Sequence, residues 1–175
     1  MYQGLRVGAV IPALNEEQSI GNVVVTLFAL SHQGTEIIDN VVVCDNGSTD
    51  QTSFVAKQAG ATVVYEPKSG YGNACLRALS TLTSVDVVLF LDADGADKPE
   101  EALALLREIG DGADLVIGSR HLGQCEKGAL GVVQQAGNRL VVALIRLLWG
   151  YRATDLGPFR AIRAKALEKL NMKDK

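Results

Sequence analysis

Short apolar runs rich in β-branched residues alternate with stretches of helical periodicity along most of this chain, and that alternation limits the fold more than any other feature. The runs at Arg6–Ile11, Asn40–Cys44, Ala61–Tyr65, Val85–Leu91 and Leu115–Ile117 read as strands. Helical patterns fill the gaps at 16–30, 50–59, 72–83, 98–109, 134–149 and 163–171. Several runs are apolar at successive positions, as strands covered on both faces must be, so the pattern predicts an α/β fold with a mostly parallel central sheet between helices. With 175 residues, 47% of them hydrophobic, the chain suffices for one compact domain. A domain of that size buries about 70% of its unfolded surface and needs no disulfide or metal to hold its core.

Ligands of an open α/β sheet bind at the carboxyl ends of the strands, so the residues after each run matter most. Pro12-Ala13-Leu14-Asn15-Glu16-Glu17 follows the first run, Asp45-Asn46-Gly47-Ser48-Thr49-Asp50 the second and Asp92-Ala93-Asp94 the fourth. Acidic tips therefore converge on one edge. In extended backbone, Asp92 and Asp94 project to one side with Ala93 opposite. Two carboxylates at the end of an apolar strand repel unless a cation sits between them, and Mg²⁺ or Mn²⁺ suits such oxygen donors; a solvated acidic turn is the plainer alternative. Asp45 can accept hydrogen bonds from a nucleobase edge or ribose hydroxyls. Asp97-Lys98-Pro99-Glu100 has the pattern of a capping box, a structural role for Asp97, and Asn15 and Asp50 can be read as caps too. Gly70-Tyr71-Gly72-Asn73 opens a helix, where backbone N–H groups can approach a pyrophosphate, or simply make a tight turn.

Several chemistries are excluded. The glycine loop follows the third run and lacks dinucleotide spacing, which removes NAD or FAD binding. His32 and His121 have no partner at triad or metal spacing, and neither a nucleophile elbow nor a P-loop occurs. Cys44, Cys75 and Cys125 are scattered, which fits a reducing cytoplasm better than a disulfide framework. The N-terminal residues have no signal-peptide pattern. Leu140–Trp149 is too short to span a bilayer and reads as a buried helix or as one lying on a membrane surface. The net charge of −3 conceals −9 over residues 1–138 and +6 over 139–175. That basic end suits an anionic partner, a phosphate or an anionic lipid surface, or a solvated helix face.

Taken in order, Val10-Ile11-Pro12-Ala13-Leu14-Asn15-Glu16-Glu17, Val43-Cys44-Asp45-Asn46-Gly47-Ser48-Thr49-Asp50, Gly70-Tyr71-Gly72-Asn73-Ala74, Asp92-Ala93-Asp94-Gly95, Gly118-Ser119-Arg120 and Thr154-Asp155-Leu156-Gly157-Pro158-Phe159-Arg160 resemble the family 2 glycosyltransferases of the GT-A fold, and among them the dolichyl- or polyprenyl-phosphate mannose and glucose synthases. The resemblance implies a nucleotide-sugar donor, of the GDP-mannose or UDP-glucose type, held by Pro12, Ala13, Asn15, Glu16, Asp45 and Ala93, with Asp92 and Asp94 on a Mg²⁺ or Mn²⁺ ion. Gly70 and Gly72 would shape the loop beside the donor. It further implies that Asp94, Arg120 and Asp155 serve catalysis and that Arg160 and Arg163 meet a polyprenyl or dolichyl phosphate acceptor. The expected protein is a cytoplasmic enzyme with peripheral membrane contact and no nucleic-acid partner. A single GT-A domain is expected over 1–175, nucleotide-sugar binding at about 1–120 and the acceptor side at about 121–175, truncated relative to the family.

This chain departs from the family pattern at Asn46, where relatives often carry a second acid, and at Ala96, where some lipid-phosphate mannose synthases have a polar metal partner. A lipid monophosphate is already anionic at pH 7, so in-line attack on the sugar needs no strong base and inverts the anomeric carbon. A transferase acting on a soluble or glycan hydroxyl, and a silent nucleotide-sugar-binding module, remain the alternatives.

Overall fold

A computed structural model describes residues 1–119, 141, 144–148, 150 and 157–172. Two compact units are present: Met1–Val116 with Phe159–Lys175, and Ile117–Pro158. The first holds strands β1 (Val7–Ala13), β2 (Ser31–His32), β3 (Thr35–Glu36), β4 (Asn40–Asp45), β5 (Thr62–Tyr65), β6 (Val87–Phe90) and β8 (Arg160–Arg163), with β7 (Leu115–Ile117) reaching its boundary. Its helices are α1 (Ile20–Ala29), α2 (Thr52–Gln58), α3 (Tyr71–Thr81), α4 (Ala102–Gly110) and α5 (Ala164–Leu170).

The main sheet runs β5-β4-β1-β6-β8-β7. β5, β4, β1 and β6 are parallel, whereas β8 is antiparallel to β6, Phe90 facing Arg160 and Val87 facing Arg163. Side-chain alternation divides the core into two layers, as period-two strands require. Val7, Ala9, Ile11, Val41, Val43, Val87, Leu89 and Leu91 pack under α1, α2 and α4. On the opposite face Val10, Val42, Cys44, Val88, Phe90 and Ile162 pack under α3 and α5. Helices thus cover both faces, which explains why the strands read as continuous apolar runs.

Two elements go beyond the sequence pattern. A two-residue hairpin joins β2 to β3, with Gln33 at φ 52° and Gly34 at φ 76°, the left-handed pair that a type I′ turn demands. The second is β8, where the pattern predicts a loop and the start of a helix at 163. Its pairing with β6 draws Phe159–Lys175 into the first unit instead of leaving it with the segment that precedes it.

In the second unit, Val141 and residues 144–148 are helical. Leu144, Leu147 and Leu148 are exposed, at 80% for Leu147, so the buried-helix reading fails for these residues. Among the described residues, no helix is long and apolar enough to cross a membrane.

Candidate nucleotide-sugar site

Between β1 and β6 the strand order reverses direction, the place where open α/β sheets bind ligands. A cleft of about 400 Å³ opens there, lined by Pro12, Ala13, Glu16, Gly70, Tyr71, Asp92, Ala93 and Asp94 together with Asn46 and others. The strand tips are stitched to one another. Asn15, in the left-handed conformation at φ 58°, receives the Thr49 N–H on its amide oxygen at 2.8 Å and donates its own N–H to Ser48 Oγ at 3.0 Å. The Glu16 N–H donates to Thr52 Oγ1 at 2.7 Å, and Glu17 exchanges hydrogen bonds with Asp50 and the Gln51 N–H. Asp50 accepts the Thr52 N–H from one residue ahead of the expected cap position: Gln51 is the N-cap of α2, and no side chain caps it. Asn15 instead joins the β1 and β4 loops, because α1 begins only at Ile20. Ser19 Oγ donates to the Glu16 carboxylate at 2.9 Å and holds it at the cleft.

Asp45 is buried and does not line the cleft. Its carboxylate accepts the Ser53 hydroxyl and, at 3.1 and 2.8 Å, the N–H groups of Gly47 and Ser48. Burial alone would raise its pKa, yet these hydrogen bonds, led by Ser53, favour the charged form and hold it below the usual 3.8. Asp45 thus shapes the loop that presents its neighbours.

Asn46, which in the sequence stands out only as a departure from the family pattern, is the organiser of the opposite wall. Its amide donates to the carbonyls of Glu66 at 2.8 Å and Lys68 at 2.9 Å, while its oxygen receives the Gly70 N–H at 2.8 Å. An acid at 46 has no N–H to offer those carbonyls. Gly70 then turns at φ 136°, a conformation closed to side-chain-bearing residues without strain, and α3 begins at Tyr71. A Cβ on Gly72 would meet nothing within 4 Å, so the helix start is open on that side.

β6 ends at Phe90, and Ala93-Asp94 form a turn instead of extended strand. Both carboxylates nonetheless line the cleft, with Ala93 buried between them. The turn is tied by Asp97, which accepts the Asp92 N–H at 3.2 Å, and by Asp94, which accepts the Ala96 N–H at 2.9 Å. Asp97 is therefore structural, but not through the expected capping box: Lys98 precedes the 3₁₀ turn Pro99–Glu101 and no side chain caps it. Tyr71 Oη donates to Asp92 Oδ1 at 2.9 Å. Partial burial and that carboxylate keep the phenol protonated well above its ordinary range. Burial, with Asp92 nearby, also pushes the Cys75 thiol up to about 11, and burial pushes Cys44 to about 11; both are inert apolar fillers.

Adjoining the cleft, and sharing Tyr71 with it, lies a largely apolar groove of about 470 Å³. Phe90, Leu115, Ile162, Leu167 and Leu170 line it, with Arg160 among them. Arg163 does not join Arg160. Three residues further along β8, it lies about 10 Å away and on the other face of the sheet. Its guanidinium donates to the carbonyls of Ile109 at 2.5 Å and Ala113 at 3.1 Å, closing the C-terminus of α4. The expected acceptor role of Arg163 is thereby corrected to a capping one. Arg120 and Asp155 lie outside the described residues.

The chain matches the family model described as glycosyl transferase family 2 over residues 9–170. It is 32% identical over 176 residues to an uncharacterised glycosyltransferase of Mycobacterium tuberculosis, covering 98% of this chain and 74% of that protein. A UDP-N-acetylglucosamine–dolichyl-phosphate N-acetylglucosaminyltransferase of Methanococcus voltae is 27% identical over 184 residues, covering 93% and 71%. The crystal structure of glucosyl-3-phosphoglycerate synthase from M. tuberculosis, in complex with Mn²⁺, UDP-glucose and phosphoglyceric acid, superimposes with a TM-score of 0.73 at 29% identity, over 94% of this chain and 58% of that one. This chain thus spans somewhat over half the length of that solved relative. The fold is GT-A, and the chain belongs to glycosyl transferase family 2.

Proposed function

We propose that this protein transfers a hexosyl group from a nucleotide sugar of the UDP-glucose or GDP-mannose type to a polyprenyl or dolichyl phosphate, with Mg²⁺ or Mn²⁺ and with inversion. The observation that carries the acceptor assignment is the groove beside Tyr71 and Asp92, apolar along its length and containing Arg160, which suits an amphiphile with a phosphate head. The dolichyl-phosphate acceptor in the methanococcal relative's name points the same way. The exposed Leu147 and Leu148 beside Arg146 fit peripheral contact with a membrane.

Asp92 and Asp94 fit the metal. Both are hard oxygen donors lining one cleft, and among the described residues no cluster of three ligating side chains exists, so the protein offers the small carboxylate share that leaves room for a diphosphate. A bound divalent ion supplies positive charge to the departing nucleoside diphosphate. Pro12, Ala13 and Glu16 border the donor on the β1 side, and Gly70 lets the N-terminus of α3 approach it, while Gly72 lines the adjoining groove. Arg160 orients the acceptor phosphate, whose oxygen attacks the anomeric carbon as the bond to the diphosphate oxygen breaks and that electron pair leaves with the diphosphate. No proton need be removed from a phosphate that is already anionic. Arg120 beside the diphosphate and Asp155 at the acceptor border complete the reading by family resemblance.

A soluble phosphorylated acceptor is the second reading, favoured by the likeness to glucosyl-3-phosphoglycerate synthase. The deciding experiment supplies labelled UDP-glucose or GDP-mannose with Mn²⁺ and either polyprenyl phosphate or 3-phosphoglycerate. Label extracted with the lipid supports the proposal; label only in phosphoglycerate replaces it with the second reading.

A further inference from the structure

Tyr71 is the side chain common to the cleft and the apolar groove that also touches a carboxylate of the strand tip. Its place is dictated by the backbone on either side. The Gly70 N–H is fastened to Asn46, the chain turns at φ 136°, and the first residue of α3 is thereby delivered against the end of β6. Neither flanking glycine adds bulk, so the phenol ring is what the loop sets between the two spaces. Its hydroxyl donates to Asp92 Oδ1 at 2.9 Å, while the Asp92 backbone N–H is held from below by Asp97 at 3.2 Å. Asp92 is constrained at both its main chain and its side chain, as an oriented metal ligand needs to be.

We propose that Tyr71 is a positioning residue with two separable parts: its hydroxyl aims the Asp92 carboxylate at the donor cleft, and its ring is the wall that sets where an acceptor in the groove meets the sugar. This rests on the reading of Asp92 and Asp94 as the metal pair. The hydroxyl acts through Asp92, so its loss should appear in metal-dependent nucleotide binding. The ring acts on the groove side, so its loss should appear in acceptor use.

The test compares wild type, Tyr71→Phe and Tyr71→Leu by calorimetric titration of Mn²⁺ in the presence of UDP, and by transfer kinetics with the donor and acceptor varied in turn. Tyr71→Phe should weaken Mn²⁺ binding about tenfold, the low end for losing a group that orients a metal ligand, while the acceptor KM stays within about twofold. Tyr71→Leu should show the same tenfold loss and also raise the acceptor KM several-fold. The ring is half exposed, so both variants should remain folded. Unchanged or tighter Mn²⁺ binding by Tyr71→Phe overturns the role of the hydroxyl. Equal acceptor KM in the two variants overturns that of the ring. Should a variant fail to fold, wild-type protein reports alone: Mn²⁺ with UDP must perturb the Tyr71 ring resonances in a spectrum assigned with selectively labelled tyrosine, and silence there overturns the proposal. Wild type that binds UDP without needing Mn²⁺ refutes the metal reading itself, a result distinct from any of these.

Discussion

Asn46→Asp is the sharpest perturbation this structure offers, because it changes one NH₂ group to oxygen and keeps the shape. In the native chain that NH₂ satisfies two carbonyls, Glu66 and Lys68, and the amide oxygen receives the Gly70 N–H. A carboxylate keeps the last contact and loses the other two, while turning an oxygen toward the carbonyls it used to serve. Two partly exposed hydrogen bonds at a net of about 1 kcal/mol each give about 2 kcal/mol, before any repulsion. That is roughly a 30-fold rise in the population of the opened 66–70 loop. Hydrogen exchange at the Gly70 amide reads this population cleanly, since its own acceptor survives the substitution. Exchange about 30-fold faster at pH 7 is expected, with UDP affinity falling because Asn46 and Gly70 both line the cleft. The carbonyls favour the protonated form of the introduced acid, so its pKa should be higher in the closed loop than in the open one. The loop should therefore regain protection as pH falls through that range. Unchanged exchange at Gly70, or a loop that tightens as pH rises, would refute the clamp.

Asp94→Ala should abolish Mn²⁺-dependent UDP binding yet leave the unfolding temperature within a degree or two, because Asp94 is exposed and its visible contact is to the Ala96 N–H; calorimetry and thermal melts check both halves. Arg163→Ala should destabilise by about 1–3 kcal/mol in urea, since the carbonyls of Ile109, at the end of α4, and of Ala113, just beyond it, lose a charged donor, with UDP binding unaltered. Arg160→Ala should instead raise the acceptor KM in transfer kinetics. Asp45→Asn should cost about 1–2 kcal/mol at neutral pH. The Asp45 pKa lies lower in the folded chain than in the unfolded one, so its contribution is complete above the usual 3.8 and lost as pH falls through the folded value. Denaturant melts of wild type and variant should therefore converge below about pH 4, and a gap that widens in acid would contradict the hydrogen-bond account.

Periodicity and strand-end chemistry were enough to read the α/β class, the parallel strands and the acidic tips, because those signals are local. A strand covered on both faces must be apolar at every position, and a ligand-binding tip must turn polar at once. Arg163 shows where such reading stops. Close to Arg160 in sequence, it is separated from it by the pleat of β8, a strand that exists only because β6 has an open edge to pair with. Asn46 and Tyr71 were visible as letters, the first as a departure and the second as a filler between glycines. Their roles depend on carbonyls 20 and 22 residues away and on a carboxylate 21 residues away. Spacing of that kind carries no periodic trace, since it is set by which strand lies beside which. The sequence by itself determined the elements and the chemistry at their ends; only the tertiary structure decided which ends meet, because hydrogen bonds between loops form after the sheet order has brought them together.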